Sequence, residues 1–139
     1  MNTTELSKVC RQVRRDIIEM TANAGSGHPG GSLSSVELLT SVFFNHMRVD
    51  PSAPDAPERD RFVLSKGHAA PCYYAVLAER GFISREEFKN FRQLHSILQG
   101  HPDCKKVPGA PFCGPVRLLE LPPKPPPKNE LKISPRSTS

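Results

Sequence analysis

The sequence predicts a layered α/β domain over residues 1–109 and a basic, proline-rich tail over 110–139, and three observations carry that division. Apolar residues recur at three-or-four spacing near the amino terminus, one short apolar run is followed by a glycine turn and a helical segment, and eight of the fifteen prolines lie between Ala110 and Ser139. Helix, strand and glycine turn in this order suit a layered domain whose ligands bind outside strand carboxyl ends. Proline lacks the N–H that helix and sheet ladders need, so Leu121-Pro-Pro-Lys-Pro-Pro-Pro-Lys128 is expected to be polyproline-like or disordered.

In the first segment, Leu6, Cys10, Val13, Ile17 and Met20 fall on one face of a helix expected from about Thr4 to Ala22, with Asn23 and Gly25 marking its end. The stretch Gly25-Ser26-Gly27-His28-Pro29-Gly30-Gly31 is too glycine-rich for regular structure. A second helix is expected to open at Ser34, which has the spacing of a capping box with Glu37. Its Val36, Leu38, Leu39, Val42, Phe43 and Phe44 make it apolar nearly all round, so it should be buried between other elements.

Pro51, Pro54 and Pro57 mark a loop, and Arg61–Ser65 reads as a short buried strand that turns out through Lys66-Gly67-His68. A third helix is expected from Ala70 to Arg80, stopped by Gly81. Ser84 and Glu87 form a second capping-box pattern ahead of Phe88 and Phe91.

Charge divides as the prolines do. Arg117, Lys124, Lys128, Lys132 and Arg136 against Glu120 and Glu130 leave the tail at +3 of the total +5. The basic balance therefore belongs to the tail, and without an aromatic-interleaved basic stripe it gives little support to a nucleic-acid partner. Cys10, Cys72, Cys104 and Cys113 are widely spaced and form no Cys-x-x-Cys, which fits reduced thiols in the cytoplasm. No apolar run approaches the length of about 18 residues that spans a bilayer, and Met1–Leu6 lacks an export signal's apolar core.

The chemistry is concentrated in three triplets: Gly27-His28-Pro29, Gly67-His68-Ala69 and Gly100-His101-Pro102. Glycine permits close backbone approach and a following proline favours extended geometry, so each triplet presents an imidazole at a turn. Histidines gathered at such turns suit phosphate contact and proton relay, and three together suggest a polar pocket. A zinc site built from His28, His68 and His101 with Asp103 or Cys104 is a rival, but no pair has the usual ligand spacing, and no metal site is assigned. Cys72, amid Tyr73, Tyr74, Val76 and Leu77, reads as a buried spectator and not a nucleophile.

These residues carry a resemblance. Ser26-Gly27-His28-Pro29-Gly30, Asp60-Arg61-Phe62-Val63-Leu64-Ser65-Lys66-Gly67-His68-Ala69, and Phe91-Arg92-Gln93-Leu94 with Gly100-His101-Pro102 resemble, in order and spacing, the amino-terminal thiamin-diphosphate-binding domain of transketolases. The match covers about residues 5–109 and is nearest the form in which this domain is a separate short chain partnered by a second one. The deoxyxylulose phosphate synthases resemble Phe62–Ala70 less well.

The resemblance implies a doubly wound α/β fold, here incomplete and helix-rich, and transfer of a two-carbon ketol unit between sugar phosphates in pentose phosphate chemistry. It implies thiamin diphosphate with a divalent cation such as Mg as cofactors. By position, His68 and Gly67 fall to the cofactor diphosphate, and His28 and His101 to the sugar hydroxyls and proton transfer. It further implies, for a partner in a dimeric assembly, a carboxyl-terminal transketolase subunit, with no nucleic acid or membrane involved. After Gly109 the family pattern would continue into a second glycine-rich loop and a metal-holding Gly-Asp-Gly motif, and neither follows in this sequence. The expectation is an amino-terminal fragment, inactive as an isolated chain, with 110–139 read from a shifted frame. The alternative is a non-catalytic module acting through protein contacts, its tail a polyproline II ligand.

Overall fold

The computed structural model describes residues 1–110, and the expected proline-rich tail lies outside the described residues apart from Ala110. Four α-helices, one π-helical turn and two 3-10 turns pack around a shared core.

Helix α1 spans Thr3–Ala24, a little longer at both ends than the apolar spacing predicts. Its start is set by a capping box that the apolar spacing does not reveal. Asn2 Oδ1 accepts from the Glu5 N–H at 2.9 Å, and Glu5 Oε2 accepts from the Asn2 N–H at 2.9 Å. Its end is Gly25 in the left-handed region at φ 59°, whose N–H donates to the Ala22 carbonyl at 3.1 Å. Cys10, Val13, Ile17 and Met20 are buried as the stripe predicts, while Leu6 is half-buried. Asp16 is buried beside them, 2% exposed, and is held by the Gln12 amide at 2.8 Å and by Arg85 at 3.3 Å.

The glycine-rich stretch is not wholly irregular, since a short helix forms across its end, and the helix expected from Ser34 opens two residues later. Helix α2 covers Pro29–Leu33, with proline at its first position where no N–H is needed, and helix α3 covers Val36–Ser41. Helix α3 runs into a π-helical turn over Val42–His46. The Ser34–Glu37 capping box does not form, because both side chains have tertiary partners: Ser34 takes Lys66 and Glu37 pairs with Arg14 of α1. Nor is the stretch buried all round. Val36, Leu39 and Phe43 are buried, Val42 and Phe44 are half-buried, and Leu38 is 68% exposed.

Among the described residues no β-strand forms. The segment 61–65 has one isolated bridge residue, Val63, with Leu64 buried, Phe62 and Val63 half-buried, and Arg61 and Ser65 exposed. A strand needs neighbours to share its ladder, and Phe62 is held instead by side-chain packing against Phe43 and Tyr73, at centroid distances of 5.3 and 5.7 Å.

A 3-10 turn over Gly67–Ala69 leads directly into helix α4, Ala70–Glu79, one residue short of the expected end. Gly81, at φ 88°, follows. Residues 70–77 are all buried, making α4 the centre of the molecule, with α1, α2 and α3 packed around it. Full burial of a side chain such as Val76 or Leu77 is worth about 1.5–3 kcal/mol. The tyrosine hydroxyls on α4 are satisfied from loops: Tyr73 donates to the Gly109 carbonyl at 3.3 Å and Tyr74 to the Gln99 carbonyl at 2.7 Å. The last element, Arg85–Asn90, is a 3-10 helix. Ser84 caps it by accepting from the Glu86 N–H at 3.2 Å, without the return bond from Glu87 that the expected capping box requires, and Phe88 and Phe91 are buried.

Candidate functional site

The three triplets come from distant parts of the chain. His28 precedes α2, and its carbonyl accepts from the Ser32 N–H at 3.1 Å, so the histidine is fixed to the first turn of that helix. The turn before it depends on glycine. Gly27 has φ 128°, and a Cβ there would lie 2.9 Å from Thr21 Cγ2 of α1. His68 stands in the 3-10 turn that opens α4, where the Ala69 N–H donates to the Lys66 carbonyl at 2.8 Å. His101 follows a loop bent by two non-glycine residues of positive φ, Arg92 at 62° and His95 at 65°. The loop is closed by the Arg92 N–H to the Leu98 carbonyl at 2.8 Å and by the Tyr74 bond to Gln99.

The structure brings the three imidazoles onto one face. The His28 and His68 rings meet edge to face, centroids 5.3 Å apart and planes at 78°. The His101 ring lies over Gly67, where a Cβ would be 2.5 Å from His101 Cδ2. The His68 ring lies over Gly31, where a Cβ would be 3.1 Å from both Cδ2 and Nε2. Two glycines thus serve as floors for two histidines, and side chains there would displace the rings. All three histidines are exposed, so they form an open surface cluster where the triplets suggest a pocket.

Lys66 is the member that the triplets do not reveal. Its Nζ donates to the Gly31 carbonyl at 2.8 Å and to Ser34 Oγ at 2.9 Å, which joins the His28 and His68 turns. Its adjacency to Gly67-His68 is the one signal in the sequence that could have pointed to it. One cation and three imidazole donors on exposed backbone turns suit oxygens of a phosphorylated ligand.

Among the described residues no group of three or more histidine, cysteine, aspartate or glutamate side chains could hold a metal ion. Cys104 lines a different depression, with Pro54, Asp55 and Arg59. Cys72 is buried on α4, and desolvation, with Cys10 nearby adding to it, pushes its thiol up to about 12, so it stays protonated and inert. No described helix is long and apolar enough to cross a membrane.

Comparison with known proteins gives these turns a context. Residues 4–116 match the family model described as transketolase, thiamine diphosphate binding domain, reaching past the expected boundary at 109. The chain is 46% identical to human transketolase over 102 residues, covering 73% of this chain and 16% of that relative. It is 42% identical over 106 residues to one of the subunits of the apulose-4-phosphate transketolase of Actinobacillus succinogenes, covering 76% of this chain and 38% of that relative. Among solved structures, a transketolase variant from Pichia stipitis superposes with a TM-score of 0.77 at 37% identity, over 81% of this chain and 17% of that one. The same enzyme in complex with sedoheptulose-7-phosphate superposes at 0.72 and 40% identity, over 76% of this chain and 16% of that one. The chain therefore spans about a sixth of the length of the single-chain relatives it matches.

Proposed function

Because the chain belongs to the transketolase family through its thiamine diphosphate binding domain, we propose that it supplies the amino-terminal part of an enzyme that moves a two-carbon ketol unit between sugar phosphates. The observation that supports this reading is the convergence of His28, His68 and His101, from turns far apart in sequence, beside Lys66.

The residues fit thiamin diphosphate at its anionic end. Gly67 and Gly31 keep the backbone open beneath the rings, and the exposed His68 imidazole over Gly31 would donate to a phosphate oxygen. When bound, the cofactor supplies the carbanion sink for the chemistry. This chain's part is positional. His68 and Gly67 hold the diphosphate end, and His28 and His101 donate to or accept from sugar hydroxyls and move a proton at their ring nitrogens. A divalent cation such as Mg takes its ligands from outside the described residues, which offer no cluster for it.

The partner proposed is a carboxyl-terminal transketolase-type chain, by analogy with relatives that are themselves subunits. We extend the reading to a doubly wound α/β architecture for the complete assembly and to the reducing cytoplasm. Isothermal titration of thiamin diphosphate with magnesium, into the chain alone and into the chain mixed with such a partner, tests the reading. Heat of binding in the mixture is expected, and no heat in either sample rejects it.

A further inference from the structure

We propose that Lys66 is a positioning residue, pinning the turn that carries His28 against the turn that carries His68 and thereby setting the geometry of the two rings. The inference rests on reading this face as the cofactor site, and extends that reading to a residue that is neither histidine nor glycine.

The geometry is a closed triangle. Lys66 Nζ donates to the Gly31 carbonyl at 2.8 Å and to Ser34 Oγ at 2.9 Å, and Ser34 Oγ donates to the same carbonyl at 3.0 Å. Ser35 Oγ adds a donor to that carbonyl at 3.2 Å. Gly31 is the residue on which the His68 ring rests, so the lysine grips by its carbonyl the floor of the imidazole two positions along its own chain. Gly31 also lies within α2, whose first turn is bonded to the His28 carbonyl, so holding Gly31 holds His28.

At its other end the lysine is anchored as well. Its carbonyl accepts from the Ala69 N–H, which closes the 3-10 turn that carries His68. One side chain therefore spans 35 residues of sequence and ties the frames of two of the three imidazoles together. The donor is an ammonium group and both acceptors are neutral oxygens, so the bonds are charge-assisted and sensitive to loss of that ammonium. Arginine retains the charge and several donors, whereas methionine keeps the length and removes both.

The test uses the full 139-residue chain with labelled histidine and reads the nuclear Overhauser cross-peak between the His28 and His68 rings, recorded without cofactor. Wild type is expected to show it, Lys66→Met to lose it while keeping a cooperative melt, and Lys66→Arg to restore it. A cross-peak that survives in a folded Lys66→Met variant, or is absent from wild type, overturns the proposal. Where Lys66→Met does not fold, Ser34→Ala removes one corner of the triangle and decides the matter: a weakened cross-peak supports the role and an unchanged one rejects it. In the assembled mixture, thiamin diphosphate affinity should fall about tenfold in Lys66→Met, the scale of losing an outer partner of ligand-holding histidines. Absence of cofactor binding in wild type would reject the proposed function, while the ring measurement would still stand or fall by itself.

Discussion

Two glycines of the histidine triplets differ in what a methyl group would do. At Gly67 a Cβ meets only the ring edge of the exposed His101, which can swing away, so Gly67→Ala should change stability by less than about 0.5 kcal/mol. The histidine resonances should move all the same, and a histidine spectrum identical to wild type would contradict the contact. At Gly27 the new Cβ meets Thr21 on the rigid α1 while the backbone sits at φ 128°. Both penalties fall on Gly27→Ala, which should lower stability by about 1–3 kcal/mol in a thermal or urea melt. The two substitutions separate a glycine that spaces a ring from one that permits a turn.

Between elements, the polar ties are few and placed where helices cross. Asp16 on α1 is buried and bound to Arg85, which also pairs with Glu79 at the end of α4. Because Arg85 is half exposed, Asp16→Ala should cost about 1–3 kcal/mol, below the cost of breaking a fully buried pair. A urea midpoint equal to that of wild type would be the contrary result. Glu37 on α3 is held below the ordinary carboxylate range by its hydrogen bond to Arg14 on α1. A depressed folded pKa gives stability that is present above the unfolded value, near 4.3, and is lost as pH falls through the lower folded value. Melting temperature should therefore fall less steeply with acidification below about pH 4 in Glu37→Gln than in wild type. Such cross-element pairs also limit what was legible in the sequence. The stripe Cys10, Val13, Ile17 and Met20 announces α1 because helical periodicity is local, and α4 with its glycine stop is legible for the same reason. Ser34 and Glu37 have the pattern of a cap, yet Lys66 and Arg14 claim both side chains, and no local rule anticipates partners that far away. The expected strand at 61–65 is not formed among the described residues because strand formation is decided by neighbours and not by its own apolar run.

For the molecule as a whole, burial sorts the thiols. Cys72, with its pKa pushed up to about 12 by burial, stays protonated at neutral pH. Brief treatment with iodoacetamide followed by peptide mapping should modify the peptide containing exposed Cys104 and spare those containing buried Cys10 and Cys72 until denaturant is added. Modification of Cys72 in the native chain would show that α4 is not the closed centre described. The site was legible to the extent that glycine–histidine triplets mark turns, and their meeting on one face follows from the seating of α2 and the His101 segment against the turn that opens α4, which no triplet encodes. The lysine tie and the glycine floors were not legible, since each depends on a distance closed only by folding. Helix α4 begins at the turn of His68 and, through Tyr74, grips the segment ahead of His101. Those two imidazoles consequently take their frame from one rod, while His28 belongs to the neighbouring helix pair. The gap to His28 is not set by that rod, and the Lys66 side chain is what spans it, so a ligand resting on all three rings meets a width fixed by one ammonium group.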